Sequence, residues 1–134
     1  MSGRFVLDSW AVLTLLDDGP NAVKVEAAMD SGDALMSWIN LGEVAYIMTR
    51  RLGQSTSDTV VADVRASLDV QLPDAPLVLS AAAIKAAMPM AYADAFAAAT
   101  ALRFRIPLMT GDPELLVKPK KSTGIRPWQW IDLR

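Results

Sequence analysis

Four acids of this 134-residue chain, Asp8, Glu43, Asp94 and Asp112, fall where strand-like runs end or helical runs begin. What they can do is set by what is missing. The sequence has no histidine and no cysteine. Without imidazole there is no histidine general base, no serine–histidine nucleophile and no histidine-pair ribonuclease chemistry. Without thiols there is no disulfide, thiolate nucleophile or sulfur-ligated metal. Catalysis would have to come from carboxylates, lysine, tyrosine or serine, and carboxylates suit a hard, oxygen-ligated cation. If the four acids converge, like charge and burial raise the pKa of at least one unless a cation is present. Mg²⁺ characteristically combines one or two carboxylates with waters and substrate phosphate, which points to phosphate esters.

Each acid also has an ordinary structural explanation. Asp8 would cap the helix that Ser9 begins. Glu43 follows Asn40 by three residues and would close a capping box. Asp94 would complement a helix dipole, and Asp112-Pro113 would form an Asx turn. Singly, none of the four is evidence for a site.

The elements that must position them alternate along the chain. Phe5–Leu7 reads as a buried strand, followed by helices over Ser9–Asp17 and Ala22–Asp30 and a strand over Ala34–Trp38. Asn40 opens a helix that ends at Gly53, and Ser57 or Asp58 caps the next. Leu77–Leu79 reads as a strand after Pro73 and Pro76. An alanine-rich helix follows from Ser80 to Pro89, then a helix from Tyr92 to Arg105 and a strand over Ile106–Met109. Trp128–Leu133 alternates as an edge strand does. This order predicts one α/β domain, residues 1–134, with a mainly parallel sheet. In such sheets functional groups gather at the carboxyl ends of strands, where Asp8 and Asp112 fall. Glu43 and Asp94 are expected in the first turns of helices.

Hydrophobic residues make up 52% of the chain and charged residues 21%, the balance of a folded domain. No apolar run approaches the roughly 18 residues of a membrane span, and Met1-Ser2-Gly3-Arg4 does not read as a signal peptide, so a cytoplasmic location is expected. The net charge of −2 hides an asymmetry: residues 103–134 carry 7 basic groups against 3 acidic ones. Lys118, Lys120, Lys121 and Arg126 are therefore candidates for phosphate contacts, or else a solvated basic segment. Trp128 and Trp130 share one face of the last strand and read as packing residues.

Four segments, taken together and in order, resemble PIN-domain nucleases, and among them the VapC-type toxins of bacterial toxin–antitoxin pairs. They are Phe5-Val6-Leu7-Asp8-Ser9, Asn40-Leu41-Gly42-Glu43-Val44, Tyr92-Ala93-Asp94-Ala95-Phe96-Ala97-Ala98-Ala99-Thr100-Ala101 and Leu108-Met109-Thr110-Gly111-Asp112-Pro113-Glu114. One departure is Trp10, where the family more often has a smaller residue. The resemblance implies a three-layer α/β/α fold, a homodimer, cleavage of RNA and neutralisation by a cognate antitoxin. It implies Asp8 and Asp94 as principal Mg²⁺ ligands, with Mn²⁺ as a substitute ion and Asp112 and Glu43 completing the cluster. Ser9 and Thr110 would hydrogen-bond a ligating water or carboxylate. The expected reaction is hydrolysis by metal-activated water, leaving a 5′-phosphate. Two alternatives have the same acids: a phospho-receiver module, which lacks here the second acid after the first strand, and a PIN-like domain that binds RNA or protein without cutting.

Overall fold

Short apolar runs separated by amphipathic helices give a sheet buried on both faces. The structure, a computed structural model, describes residues 4–134; Met1, Ser2 and Gly3, on which the signal-peptide reading partly rests, lie outside them. The elements are β1 (Phe5–Leu7), α1 (Ser9–Leu16), α2 (Ala22–Asp30), β2 (Ala34–Ser37), α3 (Trp38–Leu52), α4 (Gln54–Ser67), β3 (Asp69–Gln71), α5 (Ala75–Ala87), α6 (Tyr92–Phe104), β4 (Leu108–Thr110) and β5 (Trp130–Asp132). The five strands form one sheet in the order β3-β2-β1-β4-β5, and every neighbouring pair is parallel.

Alternation along the strands divides the core in two. Val6, Leu35 and Leu108 point into a cluster with α5 and α6. Leu7, Met36 and Met109 point the other way, into a cluster with α1 to α4. The result is the expected helix–sheet–helix sandwich. Leu7, Leu35 and Leu108 are fully buried, and each side chain of this size contributes about 1.5–3 kcal/mol through burial. Small side chains bring α6 close to the sheet: Ala95, Ala97, Ala98, Ala99 and Ala101 are all buried.

Successive strands β1, β2 and β3 step outward on one side, and β4 then returns to the other side of β1. The topological switch point lies between β1 and β4, where a parallel sheet opens a crevice at its carboxyl edge. Asp8 leaves one of those two strands and Asp112 follows the other. No helix among the described residues is long and apolar enough to cross a membrane.

Several boundaries differ from the sequence reading. Leu77–Leu79 is not a strand but lies within α5. Asp74 accepts the Leu77 N–H at 3.0 Å, and Pro76 sits in the first turn, where its missing N–H costs nothing. Pro76 therefore starts a helix, and Ser80 lies inside it. The strand on that edge is instead β3, which the sequence reading did not assign. Trp38 belongs to α3, not to β2: the Ser37 hydroxyl caps the helix by accepting the Ile39 N–H at 3.2 Å. Asn40 and Glu43 are thus helix-interior residues, so no Asn40–Glu43 capping box forms, and Glu43 is in the second turn. Likewise α4 begins at Gln54, directly after Gly53 at φ 91°, and not at Ser57 or Asp58.

Candidate metal and catalytic site

Asp8 is the N-cap of α1. Its Oδ1 accepts the Ala11 N–H at 2.9 Å, as the local sequence predicts. That leaves Oδ2, which accepts the hydroxyl hydrogen bond of Thr110 at the end of β4. The Thr110 Oγ1 in turn accepts the Asp112 N–H at 3.0 Å. One buried hydroxyl therefore joins the carboxyl ends of β1 and β4 and fixes the turn that carries Asp112. Asp112 Oδ1 accepts the Glu114 N–H at 3.0 Å, the Asx turn expected at Asp112-Pro113.

From the other side, α3 and α6 bring Glu43 and Asp94. The Ser9 hydroxyl donates to Glu43 Oε1, tying the start of α1 to the second turn of α3. Asn40, fully buried one turn earlier on α3, donates from Nδ2 to the Ala93 carbonyl at 2.9 Å. That bond holds the first turn of α6, and with it Asp94, against α3. The Asn40 Oδ1 is buried without a hydrogen-bond partner.

Electrostatically the acids form one system. Burial pushes the Asp8 carboxyl up to about 7, against the lowering effect of the Thr110 and Ala11 hydrogen bonds, and the charges of Asp112 and Glu43 raise it further. Asp94 is raised to about 8, first by burial, then by the charge and hydrogen bond of Asp112, then by Asp8 and Glu43. Asp112 and Glu43 thus both act on Asp8 and Asp94, which brings the four predicted acids together. Oxygen atoms of Asp94, Asp112 and Glu114 lie within 4.8 Å of one another. Glu114 is a member that the sequence reading missed, and the Asx turn at Asp112 is the local signal that brings it in.

These donors fit a hard divalent cation. They are all carboxylate oxygens, and burial, reinforced by the neighbouring carboxylates, raises Asp8 and Asp94 in a way that a cation would offset. None of the ion pairs among the described residues involves these acids. The basic candidates are not part of the cluster. Lys118, Lys120, Lys121 and Arg126 are exposed, and Arg126 lies beside Leu102 and Arg105 at the far end of α6.

The sequence matches the PIN-domain family over residues 5–121, and the chain belongs to that family. Solved structures agree on the fold. DNA-bound VapBC from Salmonella typhimurium is 18% identical, with a TM-score of 0.76 over 99% of this chain and 100% of the other. VapC20 of Mycobacterium tuberculosis, a sarcin–ricin-loop-cleaving toxin, is 19% identical, with a TM-score of 0.70 over 82% and 91%. VapBC-1 from nontypeable Haemophilus influenzae is 18% identical, with a TM-score of 0.69 over 97% and 98%. No curated protein sequence matches the chain.

Proposed function

We propose that this protein is an Mg²⁺-dependent endoribonuclease, the toxin of a toxin–antitoxin pair, acting in the cytoplasm as a homodimer. The observation that carries the reading is the convergence of Asp8, Glu43, Asp94 and Asp112 at the switch point of a PIN-domain sheet, where Asp112 and Glu43 raise both Asp8 and Asp94. The likeness to VapC20, a sarcin–ricin-loop-cleaving toxin, supports RNA over other phosphate esters. The likeness to VapBC structures supports an antitoxin partner.

Asp8, Asp94 and Asp112 are the residues that would hold the ion, with Glu114 beside Asp94 and Asp112. A divalent cation there, Mg²⁺ or Mn²⁺, supplies neutralisation of phosphate charge and acidification of water. Thr110 keeps Asp8 and the Asp112 turn in register before any ligand arrives. Asp8 and Asp94 must release their protons to become ligands, so ion binding is linked to proton release. Glu43, oriented by Ser9, is the acid best placed to accept a proton from attacking water. Without histidine, attack by the RNA 2′-hydroxyl has no imidazole relay, so the product carries a 5′-phosphate.

Incubation of end-labelled RNA with the protein in Mg²⁺ tests the reading. Expected are internal cuts with 5′-phosphate ends, abolished by EDTA and by Asp94→Asn. Undiminished cutting in EDTA would sink it. RNA binding with no cutting in Mg²⁺ or Mn²⁺ would identify the non-cleaving alternative.

A further inference from the structure

The basic residues of the C-terminal segment are not gathered around the acids, and where they do gather is informative. Residues 126–129 run along the amino edge of the sheet into β5, whose first residue, Trp130, pairs with Leu108 at the start of β4. The acids lie at the opposite, carboxyl edge. Arg105 ends α6, and Asp94 opens it; at 1.5 Å per residue they are about 16 Å apart along the helix axis. Three adjoining surface depressions lie along this edge. Arg126 and Leu102 line both the first, of about 310 Å³, and the second, of about 170 Å³, which Arg105 also lines. Pro127, Trp128 and Gln129 connect the second to a third, of about 490 Å³, lined by Lys118 and the half-buried Trp130.

No carboxylate lines any of the three. Arg103, on the wall of the first, is already held by Asp74 at 2.8 Å. Arg105, Arg126 and Lys118 make no ion pair among the described residues. Three free cations on one edge of a chain with net charge −2 cannot reflect general basicity. They come from separate segments, the end of α6 and two points of the C-terminal segment. Between them lies the half-buried indole of Trp130, packed on the core and lining the third depression. A spaced row of cations with an interleaved aromatic fits a single-stranded polyphosphate backbone.

We propose that Arg105, Arg126 and Lys118, with Trp130, form a second RNA-binding surface at the edge of the sheet remote from the acids. It holds the substrate strand outside the scissile linkage. The proposal rests on RNA being the ligand class of the reading above. Residues 112–118 descend from the Asp112 turn to Lys118, so one strand can pass from the acid cluster to this surface along β5 without crossing the domain.

The test is fluorescence anisotropy of a labelled single-stranded RNA of about 20 nucleotides, titrated with the full chain in Ca²⁺ across a range of salt. The Arg105→Gln/Arg126→Gln protein should bind about tenfold more weakly, and its salt slope should be shallower by about 1.4, roughly 0.7 per lost phosphate contact. Its cleavage of a short oligonucleotide, too small to reach Arg105, should match the unmodified protein in Mg²⁺. The Arg105→Lys/Arg126→Lys protein should recover the slope. An unchanged slope and affinity in the glutamine variant overturns the proposal. So does displacement of the RNA by poly-glutamate at equal charge concentration, which would assign the surface to an acidic protein partner. RNA held through Arg105 and Arg126 but never cut in Mg²⁺ or Mn²⁺ would instead overturn the nuclease reading and leave this surface standing.

Discussion

Trp10 lies so close to Gly111 that a β-carbon on residue 111 would come within 2.4 Å of the indole ring. Gly111 sits between Thr110 and Asp112, so the pairing constrains the turn that presents one of the acids. It also accounts for the tolerance of tryptophan at position 10 in this chain: the ring occupies space that any side chain at 111 would need. Gly111→Ala is therefore expected to displace the Asp112 turn. RNA cleavage should fall at least tenfold, with a stability loss on the order of 1–3 kcal/mol from overpacking. Trp10→Ala in the same chain should recover much of the lost activity, because the clash is with that ring. Melting curves and initial cleavage rates on the two proteins check this.

Raised carboxyl pKa values make a signed statement about stability. Asp8 and Asp94 hold protons in the folded state up to about 7 and about 8, whereas both ionise near 3.8 when unfolded. Between those limits the native state binds more protons than the unfolded state, so the free energy of unfolding falls as pH rises from about 4 to about 8. Thermal melts in EDTA should show the decline, and Mg²⁺ should flatten it. Asp94→Asn removes a repelled, buried charge and should stabilise the ion-free protein at pH 8 by on the order of 2 kcal/mol. A less stable Asp94→Asn protein under those conditions would contradict the electrostatic account.

Thr110 contributes two bonds through one hydroxyl. Thr110→Val keeps the shape, leaves the Asp112 N–H without its acceptor and removes the bond that lowers the Asp8 pKa. A stability loss of about 1–3 kcal/mol is expected, with the Asp8 pKa moving further up. Thr110→Ser should preserve both. The Asp8 titration followed by carboxyl-carbon NMR separates this from a simple packing defect.

Glu114 offers the clearest separation between fold and ion. It is exposed, and its side chain makes no ion pair among the described residues. Glu114→Gln should leave the free energy of unfolding in EDTA within about 0.5 kcal/mol of the parent. The Mg²⁺ concentration needed for half-maximal cleavage should rise several-fold, because a ligand beside Asp94 and Asp112 has lost its charge.

The sequence was most readable where local and global requirements coincide. Asp8 is both the cap of α1 and a strand-end acid, and the Asp112 turn has the residue pair that forms it. Glu43 was harder to place because Asn40 three residues before it is a legitimate capping pattern. The helix actually starts at Ser37, and Asn40 spends its amide on Ala93 instead. Strand β3 is only three residues long, and Asp69 and Gln71 give it polar ends, so hydrophobic pattern alone hides it. Pro76 misled in the opposite way, since a proline in a first turn and a proline after a last turn look alike without the Asp74 hydrogen bond. Glu114 was passed over although the expected Asx turn at Asp112 carries it beside Asp94, because the turn was read only as a structural role for Asp112.

The acids reach the crevice from β1, α3, α6 and the turn after β4, so they are separated by up to 104 positions in the sequence (8 to 112). No contiguous stretch of the chain holds the site. A chain cut before β4 would keep three of the acids but lack both Asp112 and the Thr110 hydroxyl that bonds Asp8.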